Sequence, residues 1–349
     1  MTATAAASNG LTKLRARVRL GAQIERAIAI LLIIGLIVWA VACIVKDPGQ
    51  TAGAFLTGVN NGTLYALIAL GYTMVYGIIE LINFAHGDLF MLGTVVAGNV
   101  FVNWLGFHDA ALQGIGGLLA SMAIAMVFCA TLNVATEFIA YRRLRNAPKL
   151  APLITAVGFS FIFQNIGQDW NGSAQKNWPI NVSGPKFQGL SLYNLLLTIA
   201  FTVPLLLLMT WIVQRTKQGK AMRAVASDQD GARLMGINVN RTISFTFALG
   251  GALAGTAGAL WIYEIGSNRY DLGLRVGLIA FTAAVLGGIG NLVGAVLGGI
   301  LIGIIQAFNS GAPYGFGQQW DQTVIFTILI VLLVFKPEGL LGSPTTEKV

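Results

Sequence analysis

Residues Thr63–Gly98 read TLYALIALGYTMVYGIIELINFAHGDLFMLGTVVAG, and this stretch decides the fold. Both flanks are apolar, yet the middle carries Glu80, Asn83, His86 and Asp88. Apolar walls of that length place the polar knot at or within a membrane. An ionisable side chain there costs roughly 2.5–3.5 kcal/mol on insertion scales, so it faces protein, a water-filled cavity or the interface. Gly77 and Gly87 bracket the knot, and glycine suits a break in helical geometry. The stretch therefore reads as two helices meeting at a polar elbow, Asn83 to Asp88. Broken helices expose N–H and C=O ends that bind the charged ends of small solutes.

The rest of the chain has the same character. Of 349 residues, 55% are hydrophobic and only 10% charged, and the mean hydropathy is +0.72. Soluble domains carry about twice as much charge. Several apolar runs reach about 20 residues, the length that spans a bilayer as a helix. The expected fold is all-α: a polytopic transmembrane bundle of about 8–10 membrane segments, with broken helices at the midplane. Two cysteines, Cys43 and Cys129, lie in apolar runs and read as small buried hydrophobes. Neither they nor His86 and His108 offer metal-ligand spacing, so no metal is expected.

The net charge of +8 sits in short segments between apolar runs, which points to membrane orientation and away from nucleic acid. One cluster is N-terminal (Lys13 to Arg26), one spans Arg142 to Lys149, and one spans Arg215 to Arg241. With Lys336 and Lys348 they hold seventeen of the 22 basic residues, and the positive-inside rule puts all of them in the cytoplasm together with both termini. Residues 1–50 read as a cytoplasmic tail plus an extra helix, 51–342 as the main membrane domain and 343–349 as a cytoplasmic tail. Asp169–Leu190 and Glu264–Arg275 fall outside.

Val276–Phe308 is too long for one untilted span and is interrupted by Gly287-Gly288-Ile289-Gly290-Asn291. It reads as two segments, and this second break pairs with the elbow in the opposite half of the chain. Paired interruptions point to a solute pathway, which makes Asn83, His86, Gly87, Asp88, Gly288 and Asn291 its candidate residues. The alternative is that the elbow groups satisfy only one another and the freed backbone. Gly250, Gly251, Gly255 and Gly258, and likewise Gly294, Gly298, Gly299 and Gly303, fit close helix contacts. The loop 214–241 offers a different surface. Ser227 or Asp228 can cap a short helix, and Ala226, Ala232 and Gly236 are small, with Arg223 and Arg233 beside them.

Three segments, in order, resemble one family. YALIALGYTMVYGIIELINFAHGDLFMLG resembles the signature of LivH-type permeases of branched-chain amino-acid ABC importers. RAVASDQDGARLMGIN, Arg223–Asn238, is similar to their cytoplasmic coupling loop, and FTAAVLGGIGNLVGAVLGGILIG, Phe281–Gly303, to their glycine-rich C-terminal segment. The resemblance covers about Gly53 to Gly342. It implies a permease without enzymatic activity that carries leucine, isoleucine and valine. It implies a second permease subunit, a copy or a paralogue, and an extracytoplasmic binding protein that delivers the solute. It also implies two ATPase subunits gripping Arg223, Ala226, Asp228, Ala232, Arg233 and Gly236. The chain has no G-x-x-x-x-G-K-[ST] loop, so ATP and Mg belong to those partners and no cofactor is expected here. Glu80 departs from the family pattern, where a glycine or small residue is expected. Cargo is the open point: urea, amides or another small polar solute fit the same machine. An ion-coupled secondary transporter would have to use Glu80 and Asp88. A membrane-embedded enzyme lacks a nucleophile, a metal cluster and paired carboxylates.

Overall fold

The computed structural model describes residues 35, 38–104, 106, 112–145, 147–148, 150–178, 186–187, 190–336 and 338–342. The basic N-terminal cluster, the start of the first apolar run, His108, Lys149, residues 179–185 and the tail 343–349 lie outside the described residues. Residues 38–46 are helical and lead to Asp47. Asp47 caps α1 (Pro48–Ile79) by accepting the Gln50 N–H at 2.9 Å, and Pro48 sits where a missing N–H costs nothing. After a break follow α2 (Ala85–Gly98), α3 (Leu112–Thr136) and α4 (Leu150–Asn171). Helix α2 runs on as a π-helix to Trp104, and α3 runs on through a π turn to Leu144. Short strands β1 (Lys176–Asn177), β2 (Lys186–Phe187) and β3 (Leu190–Ser191) precede α5 (Leu192–Arg215).

The basic insertion is itself helical: α6 (Lys217–Ser227) and α7 (Gln229–Leu234). Then come α8 (Val239–Ile265), β4 (Ser267–Asn268), α9 (Leu272–Gly287), α10 (Leu292–Gly311) and α11 (Asp321–Phe335). Strand β4 pairs antiparallel with β1, with Lys176 opposite Asn268. Among the described residues, 8 helices are long and apolar enough to cross a membrane, and α9 is shorter. The two-segment reading of Val276–Phe308 therefore holds, with its break at Gly288–Asn291.

Helices α1, α2 and α8 form the centre. Helix α2 is buried along its whole length, from Ala85 to Gly98. Close packing there depends on missing side chains. A Cβ on Gly62 would stand 2.7 Å from the Ile300 Cα, and one on Gly299 would stand 2.6 Å from the Ala66 Cα, so α1 and α10 touch backbone to backbone. Gly251 and Gly258 do the same for α8 against α3 and α2. Helices α3, α4, α5 and α11 surround this centre and turn apolar side chains outward, among them Phe161, Leu207, Trp211 and Val334. An exposed apolar belt around a buried small-residue core is what lipid, and not water, permits.

Candidate functional site

The elbow is built differently from the sequence reading, which put the break at Asn83–Asp88. The break is Glu80–Phe84, and His86, Gly87 and Asp88 form the first turn of α2. Neither Gly77 nor Gly87 makes the turn. Glu80 does, in the left-handed region at φ 52°, the one non-glycine residue with positive φ among the described residues. That is the position at which the family resemblance leads one to expect a glycine or small residue.

The elbow groups do not satisfy one another; each reaches a different helix. Asn83 Oδ1 accepts the Ala85 N–H at 3.1 Å, and its amide donates to Asn133 of α3 at 3.4 Å. Asn133 in turn donates to the Phe247 carbonyl of α8 at 2.7 Å. The His86 ring meets Tyr72 edge-on at 4.7 Å and lies over Gly71, where a Cβ would stand 2.7 Å from the ring's Cε1 and closer still to Nε2. Asp88 Oδ2 accepts from Ser160 Oγ at 2.5 Å, and Gln164 supports Ser160 at 3.1 Å. Asn83, His86 and Asp88 are all buried. Ser160 stands at the midpoint of the 22-residue α4, so Asp88 lies at the midplane of the bundle. Gly87 marks the crossing of α2 and α9, where its Cβ would stand 2.7 Å from the Gly277 Cα.

The second break adjoins the first. Asn83, Ile82 and Ile289 line one narrow cavity of about 10 Å³ together with Tyr72 and Phe281. That is too small for an amino acid. Gly288 holds φ 102°, and Asn291 caps α10 by accepting the Gly294 N–H at 3.1 Å. Residues 338–342 fold beneath this break. Leu340 and Leu341 donate to the carbonyls of Leu286 and Gly287 at 2.8 and 3.0 Å, and Asn291 Nδ2 donates to the Leu341 carbonyl at 2.8 Å.

Helix α6 lies under the second break and against the last turns of α1. Arg223 and Ala226 share a cleft of about 120 Å³ with Met74 and Gly77 of α1, and with Gly290 of the second break. Arg223 also donates to the Val213 carbonyl at the end of α5. Asp228 caps α7 by accepting the Asp230 N–H at 3.0 Å, and Arg233 pairs with Asp230 at 3.1 Å on the surface. Ala232 is buried against the body and presents no surface. The chain then turns at Gly236, with φ 79°, and leaves Leu234 and Met235 89% and 83% exposed. Sequence reasoning missed this apolar tip, although two large apolar residues beside a glycine in a basic loop are a visible signal.

It also missed Glu137, the one acid among the arginines of the second basic cluster. Glu137 is fully buried and accepts from Arg142 at 2.9 Å, Arg145 at 2.6 Å and Ser244 at 2.7 Å. Arg145 reaches on to Asn240 at 2.7 Å, so α3 is tied to the start of α8 directly after the α7 turn. Among the described residues, no three His, Cys, Asp or Glu side chains gather as a metal site.

A bundle of spanning helices with two interrupted helices whose breaks adjoin fits a membrane permease; the second break lies toward the α6 end, at the far end of α9, and not at the midplane that the sequence suggested. The chain belongs to the family of branched-chain amino acid transport system permease components, whose pattern covers residues 54–333. It is 39% identical over 303 residues to the high-affinity branched-chain amino acid transport system permease protein BraD of Pseudomonas aeruginosa, covering 84% of this chain and 96% of that protein. It is 37% identical over the same length to LivH of Escherichia coli K12, with the same coverage. The probable LivH of Methanocaldococcus jannaschii is 28% identical over 319 residues, 86% of this chain and 96% of that one. No solved structure matches.

Proposed function

We propose that this chain is the membrane-spanning permease of an ATP-driven importer for leucine, isoleucine and valine. One observation carries the reading: the handle that a partner would grip touches the second break and the last turns of the helix that leads into the first. Arg223 and Ala226 of α6 line the cleft directly beneath Gly77 and Gly290. A rigid shift of α6–α7 therefore acts directly on the second break, and on the first through the last turns of α1. The basic end, with Arg142, Arg145 and Arg223, faces the cytoplasm. Two ATPase subunits bind there against Leu234, Met235 and Arg233, and carry ATP and Mg. A second permease subunit completes the path, and a binding protein delivers the amino acid at the opposite end. The ATPases' unequal affinity for two permease states drives the switch between outward and inward openings.

The test is purification in mild detergent followed by reconstitution. ATPases and a second permease are expected to co-purify, and the assembled complex to accumulate labelled leucine only with ATP and binding protein. Accumulation of urea in place of leucine changes the cargo. Gradient-driven accumulation by the isolated chain overturns the reading.

A further inference from the structure

The head of α9 is charged, exposed and deep. The chain leaves α8 at Ile265, at the end of the bundle away from α6 and α7. Ser267 is still level with the last turns of α8, because its carbonyl accepts from Trp261 Nε1 at 3.1 Å. By Gly273 the chain has reached Asp88: a Cβ on Gly273 would stand 2.6 Å from the Asp88 Cα. Asp88 is bonded to Ser160 at the midpoint of α4. The segment 266–271 thus descends from the end of the bundle to its middle, and α9 begins there. This accounts for its 16 residues against 27 in α8 before it and 20 in α10 after it.

Three charges sit at that head. The side chains of Arg269, Asp271 and Arg275 are 45%, 23% and 48% exposed. Both arginines pair with Asp271, Arg275 at 3.2 Å, which leaves one net positive charge. The Asp271 side chain makes no capping bond to α9, so the positive end of that helix faces the carboxylate packed behind it. Behind it, the buried Asp88 turns a second carboxylate oxygen, Oδ1, without a partner toward Gly273. Exposed guanidinium groups at the midplane of a bilayer do not face hydrocarbon. This face of the chain meets water.

We propose that Arg269, Asp271 and Arg275 line the translocation pathway at mid-depth and bind the charged end groups of the passing amino acid. The proposal rests on the importer reading for its ligand. A guanidinium pairs with a carboxylate through two parallel hydrogen bonds, and Asp271 matches the ammonium. The apolar side chain then passes over Leu274, which is also exposed.

Both native cysteines, Cys43 and Cys129, are buried, so single introduced cysteines report cleanly. Leu274→Cys and Arg275→Cys are introduced in the full complex in spheroplasts and treated with a charged, membrane-impermeant methanethiosulfonate. Phe161→Cys, 59% exposed beside the midpoint of α4, is the lipid-facing control at equal depth. The α9 cysteines are expected to react far faster than the control. Arg275→Gln and Arg269→Gln are then expected to raise the KM for leucine about ten-fold or more, the worth of a charged hydrogen bond, and to change kcat much less. Cysteines at 274 and 275 as inert as the control overturn the placement. Reactive cysteines with an unchanged KM in both glutamine variants overturn the recognition role. A wild-type complex that imports no leucine while Arg275→Cys still reacts counts against the cargo alone, and the labelling supports the placement.

Discussion

Glu80 holds a left-handed conformation that costs an L-residue with a Cβ about 1–2 kcal/mol. Glu80→Gly is therefore expected to stabilise the detergent-solubilised protein by about 1 kcal/mol, read as a rise in Tm, after glycine's own entropy cost. Glu80→Val should lower Tm, because a β-branched side chain tolerates that region least. An unchanged Tm in both would mean that the turn relaxes freely. Glu137 is the opposite case, a charge that belongs. Glu137→Ala leaves Arg142 and Arg145 facing each other, at a cost of about 3 kcal/mol. The figure is at the low end because Arg142 is 31% exposed and turns to water. Glu137→Gln should recover part of the loss through Ser244. Equal unfolding of both variants would show that hydrogen bonding there contributes nothing. Composition gave no warning of either residue. Glu80 stood out only as a departure from the family pattern and Glu137 went unread, because the sequence carries no backbone angles and no burial.

At the scale of elements, the second break was legible and the first was displaced. Gly287–Asn291 interrupts an apolar run with residues that nothing but a turn explains, and the chain turns there. Around Asn83–Asp88 the polar residues admit two readings, a loop or a buried helix start, and periodicity cannot separate them in a helix buried on all faces. His86 and Asp88 proved helical, while the turn fell on Glu80–Phe84. Gly87 matters for a different reason than a break: it lets α2 and α9 cross. Gly87→Leu is expected to insert normally but abolish uptake, because the added side chain forces α9 from Gly273 and Gly277. Wild-type uptake by that variant would remove the crossing from the mechanism. The α6–α7 handle was legible through the Asp228 cap and the basic charge, but its gripping surface was not. Ala232 faces inward, and Leu234 and Met235 face out. Leu234→Asp with Met235→Asp should release the ATPases from a pull-down without lowering the Tm of the permease. Retention of the ATPases would move the grip elsewhere on the basic end.

For the whole molecule, hydropathy was enough to give a polytopic helical bundle and to bracket its membrane segments at about 8–10, because lipid permits so few structures. What hydropathy did not give is closure, which depends on residues far apart in the chain. The segment after α11 is the clearest case. It reads as a short tail, yet residues 338–342 return to cover the second break. Three hydrogen bonds hold it, from Leu340 to Leu286, Leu341 to Gly287 and Asn291 to Leu341. Each is worth about 1 kcal/mol net, and each leaves an unpaired backbone group near the membrane when lost. Truncation after Phe335 is therefore expected to destabilise the solubilised permease by about 3 kcal/mol, and Asn291→Ala alone by about 2 kcal/mol, because it also removes the α10 cap. Thermal unfolding in mild detergent measures both. The truncated chain should also open the cleft above Arg223 and Ala226, so its ATPases should hydrolyse ATP with less dependence on solute and binding protein. A truncated protein with the full-length Tm and intact coupling would mean that the segment rests on the break without closing it.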